Sequence, residues 1–222
     1  GNKANNAELN GNYAGCVFLQ DCKDVAIRKV IARNNHGDGI SWQVCHDVLV
    51  EGCHCHDNYG LGYHPGSGSQ RPIIRSNRSE RNQIGIFFCW GVRFGLAEDN
   101  TIVEARESGI SIGHRDTDNL VRRNSITRSG RVGILFRDET TAFAPHRNRF
   151  EQNQVVDSGP DDGVGIDVRG TTEGVTLAQN EVRESRSPMS RIGIRLGAKT
   201  RDITLNENKI TGYSVDFSQL KS

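Results

Sequence analysis

The sequence predicts an all-β fold, a single-stranded right-handed parallel β-helix (solenoid) of about eight coils, and two residue columns with a shared period predict it. The first column reads apolar-x-x-Asn-x-apolar or small: Ile74/Asn77/Ser79, Ala97/Asn100/Ile102, Val121/Asn124/Ile126, Phe150/Asn153/Val155, Leu177/Asn180/Val182 and Leu205/Asn208/Ile210. It extends backwards through Val50/Cys53/Cys55 and Ile27/Val30/Ala32, with Asn replaced. The second column, Gly-apolar-x-apolar, runs through Gly15, Gly39, Gly60, Gly85, Gly109, Gly133, Gly165 and Gly193. A third observation agrees: 25 glycines against 5 prolines, one Met and 6% aromatics suit short strands and tight turns rather than a helical core.

Each repeat is therefore one coil of two or three short strands separated by turns. Parallel strands stack about 4.8 Å apart, so eight coils make a rod on the order of 40 Å long. A polar Asn between apolar neighbours needs partners, and stacking on its equivalent in the next coil supplies them, which predicts an inward asparagine ladder at a turn. One domain is expected over 1–222, with an opening segment at 1–14, coils at 15–212 and a closing segment at 213–222 that covers the open end of the core. A further cap is expected before residue 1, because an open solenoid end presents unpaired strand edges.

These repeats resemble those of right-handed parallel β-helix proteins of the pectate-lyase-like superfamily, over residues 15 to about 212. The segments 60–69, 87–93 and 111–119 are also similar to a bacterial group of such repeat proteins. The resemblance implies an extracytoplasmic protein, secreted or periplasmic, that binds and processes a polysaccharide or oligosaccharide. It supplies no catalytic motif: where alginate epimerases carry Asp-Pro-His-Asp, this chain has Tyr63-His64-Pro65-Gly66, lacking both acids.

Strand alternation sorts the side chains after each column glycine. Positions one and three form the core row: Cys16/Phe18, Ile40/Trp42, Leu61/Tyr63, Ile86/Phe88, Ile110/Ile112, Ile134/Phe136, Ile166/Val168 and Ile194/Leu196. The opposite face and the turn beyond it carry Gln43, His64, Trp90, Arg93, His114, Arg115, Asp116, Arg137, Asp138, Asp167 and Arg169. Loops at His64–Arg71 and Arg137–Arg147 leave on the same side, where insertions in repeat proteins mark a binding face.

Three functions fit this face. A lyase or C5-epimerase of uronate sugars needs a base for the C5 proton, His64 or His114, and a cation for the carboxylate, Arg115 or Arg137. Gln43, Trp90, Arg93, Asp167 and Arg169 would then bind substrate. A glycoside hydrolase needs paired carboxylates, for which Asp116/Asp138 and Asp138/Asp167 are the candidates. A non-catalytic carbohydrate-binding or structural solenoid would present the same charges as surface ion pairs.

Other classes are disfavoured. With 28 Lys+Arg against 27 Asp+Glu, no bulk field draws nucleic acid. No apolar run is long enough for a membrane span, and no leader peptide opens the chain. Cys53-His54-Cys55-His56 does not read as zinc, because alternation sends the cysteines inwards and the histidines outwards. Cys22 and Cys45 fall one coil apart, close enough to stack or to bridge. No cofactor is required; calcium is admitted only near Asp116, Asp118 and Asp138. Oligomeric state is left open.

Overall fold

In a computed structural model, residues 15–187 and 190–221 are described, and they contain 25 strands and no helix. The strands form three parallel sheets of nine, eight and eight strands, and the chain visits the sheets in rotation, one strand of each per coil. The opening segment at 1–14 lies outside the described residues. Among the described residues no helix is long and apolar enough to cross a membrane.

The turn between the second and third sheets explains the asparagine column. Lys29, Ser76, Asp99, Arg123, Gln152, Gln179 and Glu207 adopt φ of 51–56° there, and the next residue is the ladder position. A left-handed residue other than Gly costs roughly 1–2 kcal/mol, and the ladder offsets it. Asn124 Oδ1 accepts the Asn100 backbone N–H at 3.0 Å and the Asn100 side-chain amide at 2.8 Å. Its own amide donates to Ala97 O and to Asn153 Oδ1. The same links run through Asn77, Asn153, Asn180 and Asn208. Cys53 ends the column, its N–H bound to Asn77 and its thiol accepting from Val30 N. Asn35, Asn58 and Asn82 form a second, shorter ladder.

Sterics explain the glycine column. A Cβ on Gly85, Gly109, Gly133, Gly165 or Gly193 would fall 2.3–2.5 Å from a methyl group of Ile102, Ile126, Val155, Val182 or Ile210 on the third sheet. Only Gly lets the first sheet fold this tightly against the third.

The first sheet corrects two registers expected from sequence. Ile40 pairs with Tyr63, so the aligned glycine is Gly62, not Gly60. Val17 pairs with Ile40, so Val17 and Leu19 face the core in the first coil while Cys16 is exposed. The other coils hold as expected, with Trp42, Phe88 and Phe136 fully buried. The turn after the third coil starts later than expected, because Tyr63–Gly66 is itself a strand. Residues Val215–Gln219 form a ninth strand of the first sheet, and Leu205 and Phe217 remain 40% and 44% exposed at that end.

The second sheet shows what a purely structural face looks like. Arg28, Glu51, Arg75, Glu98, Arg122 and Glu151 stand in register and alternate in charge. Their ion pairs, such as Arg75–Glu51 at 2.8 Å, lie on the outward face, with Glu98 buried beneath Arg122 and Arg123. The first sheet departs from this pattern, and the departure locates the candidate site.

Candidate functional site

The outward side of the first sheet carries two rows. The first runs Ser41, His64, Phe87, Ser111, Leu135, Asp167 and Arg195; these residues follow the inward column led by Ile40 and Tyr63. The second comprises Gln43, Gly66, Cys89, Gly113, Arg137, Arg169 and Gly197. Small or aromatic residues flank His64 and Arg137, and a hollow of about 620 Å³ opens over them. Tyr59 and His36 wall one side; their rings stack with centroids 4.9 Å apart.

His64 is buried to 8% exposure and lines the hollow. Its Nδ1 lies 2.9 Å from Oδ2 of Asp38, whose carboxylate is fully buried and also accepts the Leu61 N–H. The acid missing from Tyr63-His64-Pro65-Gly66 therefore comes from the preceding coil. Asp38 fixes the tautomer, with the proton on Nδ1. His64 Nε2 lies 3.3 Å from Cys89 O, a hydrogen bond that only a protonated Nε2 makes. A ring that has given up that proton presents a lone pair at Nε2.

Arg137 enters the same hollow from three coils further along. Its guanidinium stacks on Phe87 at 4.5 Å from the ring centroid and donates to Ser111 Oγ and Phe88 O. His64 packs edge-on against the same Phe87 ring at 5.2 Å, so one aromatic side chain sets the spacing of base and cation. Arg137 can lie this flat because Gly113 has no Cβ; one there would sit 2.5 Å from Arg137 Nε.

Beneath Arg137, Asp116 is fully buried, 3.4 Å from an Arg137 nitrogen, and accepts the Val92 and Gly113 N–H groups. Burial pushes its carboxyl up to about 7 despite these partners. Asp116 supports Arg137 from below and does not reach the groove surface.

The remaining sequence candidates are distributed elsewhere. His114 stacks on Trp90 at 5.2 Å and its Nδ1 lies 3.1 Å from Glu139 and 3.4 Å from Arg137, with its pKa lowered mainly by burial; it touches Arg137 but does not line the His64 hollow. The Arg137–Arg147 loop places Phe143 against His114 and under Arg115. Trp90, Arg93 and Arg115 line a second hollow of about 540 Å³ at the edge beyond the sheet. Gln43 is buried against Gly66. Asp167 is fully buried between Arg169 and Arg195, whereas Asp138 is exposed. Each proposed carboxylate pair thus joins an occluded, arginine-bound acid to an open one.

Sequence reading missed Asp38, Glu139, Phe143 and the Tyr59/His36 wall. Asp38 had one usable signal, a carboxylate directly before column Gly39, but the off-register Gly60 hid its position beside His64. Asp118 is held by Arg147 at 2.8 Å, so the acids weighed for calcium do not converge; among the described residues no cluster of three or more His, Cys, Asp or Glu is placed to hold a metal ion. Cys53 and Cys55 are buried while His54 and His56 turn outwards to Glu80 and Asp57. Cys22 and Cys45 are free thiols that stack, Cys22 N–H donating to Cys45 Sγ.

A three-sheet parallel solenoid with an open groove on one sheet defines the class of protein. The chain belongs to the family described as right handed beta helix region, whose sequence profile matches residues 15–182. No curated protein sequence is a significant match. Among solved structures it is similar to the periplasmic alginate epimerase AlgG, with a TM-score of 0.76 at 12% identity over 91% of this chain and 49% of that one. An alginate lyase from Paenibacillus sp. str. FPU-7 gives 0.61 at 13% identity, covering 89% and 76%. The catalytic domain of a GH87 alpha-1,3-glucanase gives 0.54 at 8% identity, covering 91% and 49%. The chain spans about half the length of the epimerase it matches.

Proposed function

We propose that this protein binds a uronate-containing polysaccharide along its first sheet and removes the C5 proton of one sugar unit, as a lyase or C5-epimerase. One observation carries the reading: His64, oriented by buried Asp38, and Arg137 share a hollow and pack against the same Phe87 ring. Likeness in fold to an alginate epimerase and an alginate lyase supports the substrate class. An extracytoplasmic location goes with such a substrate.

In this reaction Arg137 binds the uronate carboxylate and stabilises the negative charge that spreads into it as C5 loses its proton. Neutral His64 takes that proton at Nε2, and Asp38 stabilises the imidazolium formed. In a lyase the C4–O bond then breaks as the C4–C5 double bond forms, and the leaving oxygen takes a proton. In an epimerase a proton returns to the opposite face of C5. Tyr59 and His36, which line the same hollow, are the candidates to return it. Trp90, Arg93 and Arg115 extend binding to the sheet edge.

The test is incubation with uronate and neutral polysaccharides in D₂O, following unsaturated ends by ultraviolet absorbance, C5 deuteration by NMR, and reducing ends in parallel. Unsaturation or C5 deuteration is expected on a uronate polymer, and His64→Ala is expected to lower it about 10²–10⁴-fold, the usual contribution of a general base. Reducing ends without either signal would make it a hydrolase. Full activity in His64→Ala would remove the assigned base.

A further inference from the structure

The His64 hollow does not end at Arg137. A second hollow of about 410 Å³ shares Glu107, Ser108 and Leu135 with it and continues to Arg169 and Arg195. A third, also about 410 Å³, shares Arg169 and Arg195 with the second and runs on to Lys199 and Leu220. The three hollows therefore adjoin one another in order along the first sheet. From the strand of His64 to the strand of Arg195 there are five strand steps in the first sheet, roughly 24 Å at about 4.8 Å each.

In the far part of this groove, Asp167 gathers more positive charge around it than one buried acid requires. Asp167 stands in the outward row where its neighbour across the strand is Leu135, and its carboxylate is fully buried. A buried carboxylate needs one counter-ion. Arg195 already provides it through two hydrogen bonds, at 3.0 and 2.6 Å. Arg169 adds a third, from Nε alone at 2.5 Å, and its side chain stays 42% exposed. Two guanidinium groups on one acid leave a net positive charge, with the terminal nitrogens of Arg169 directed to no other partner among the described residues. The other charges lining these two hollows, Arg131 and Lys199 against Glu107, Asp162 and Asp138, balance the lining as a whole, so the positive charge is local to the two guanidinium groups on Asp167.

We infer that Arg169 and Arg195, held by Asp167, form a second carboxylate-binding subsite, and that the protein engages the interior of a polyuronate chain across several sugar units rather than a chain end. This rests on the uronate reading above. Asp167 pre-orients both arginines, so little side-chain freedom is lost when a sugar carboxylate binds. Such a subsite acts on affinity for long substrates and not on the chemistry at His64.

The experiment is calorimetric titration of the protein with uronate oligosaccharides of graded length, alongside turnover of the same series. Arg169→Gln is the informative variant, because Asp167 keeps its two bonds from Arg195; Arg195→Lys is the second. Affinity is expected to rise with length until the oligomer reaches Arg169. Arg169→Gln is expected to weaken binding of long oligomers about tenfold, as loss of one charge-assisted contact does, and to leave the affinity of oligomers too short to reach it as in wild type. Equal affinities of wild type and Arg169→Gln at every length would overturn the subsite, as would affinity independent of length. Binding with this length dependence but without any C5 chemistry would support the subsite and overturn the lyase or epimerase reading. Failure to bind any uronate would overturn both.

Discussion

Replacing Asn124 by Ala tests the internal logic of the solenoid. The side chain sits mid-column, fully inside, and makes four ladder contacts. Removal leaves the Asn100 backbone N–H without its acceptor and takes one of two partners from the Asn100 amide, which still donates to Ile74 O. Asn153 Oδ1 keeps the Asn124 backbone N–H, so little is lost on that side. Two orphaned buried hydrogen-bond donors at roughly 1–3 kcal/mol each give a destabilisation of about 2–6 kcal/mol. With m in urea of about 2–3 kcal/mol/M for a chain of this size, the midpoint should fall by roughly 0.7–3 M. Urea unfolding followed by circular dichroism and by fluorescence of buried Trp42 measures it. Gln154→Ala, on an exposed position of the adjacent coil, is the control and should stay within about 0.5 kcal/mol of wild type. If Asn124→Ala costs no more than this control, the buried ladder does not stabilise the coils and the reasoning fails.

Gly113→Ala should push Arg137 off Phe87, since the added methyl would sit 2.5 Å from Arg137 Nε; overpacking costs about 1–3 kcal/mol, and uronate turnover should drop at least tenfold. Unchanged turnover with an unchanged melting temperature would show that Arg137 need not lie flat. Asp116 titrates near 7 in the folded chain against 3.8 for the free group, so the folded state holds this proton longer between about pH 4 and 7. Stability relative to Asp116→Asn should therefore fall as pH rises through that window and level off above it; a flat profile instead would mean that Arg137 keeps Asp116 ionised throughout. Thiol labelling of the native protein should modify Cys16 and Cys22 and spare Cys45, Cys53 and Cys55 until unfolding, with no disulfide found between Cys22 and Cys45. Cys89 should also resist, because burial raises its thiol to about 12.

The sequence by itself determined the architecture, because a solenoid repeats one local problem. Every coil must turn through a left-handed residue, bury a polar backbone beside it and pass a third-sheet side chain at the next corner, and from Asn77 onwards Asn and Gly meet those demands. Both columns were visible for that reason. The same periodicity made His64 and Arg137 legible as outward groups on a shared face, and it separated Cys53-His54-Cys55-His56 into core thiols and surface imidazoles.

Register and partnership were decided only by tertiary structure. Gly60 and Gly62 both fit the glycine pattern, and only the pairing of Ile40 with Tyr63 selects Gly62. That choice brings Asp38, 26 residues from His64 in sequence, within 2.9 Å of its ring. Burial likewise separated carboxylates that look equivalent in sequence: Asp116 and Asp167 are fully occluded against arginines, and Asp138 is open. Alternation along a strand reports which face a side chain takes. It carries no information about neighbours contributed by adjacent coils, whose alignment is set by cross-strand hydrogen bonds and core packing.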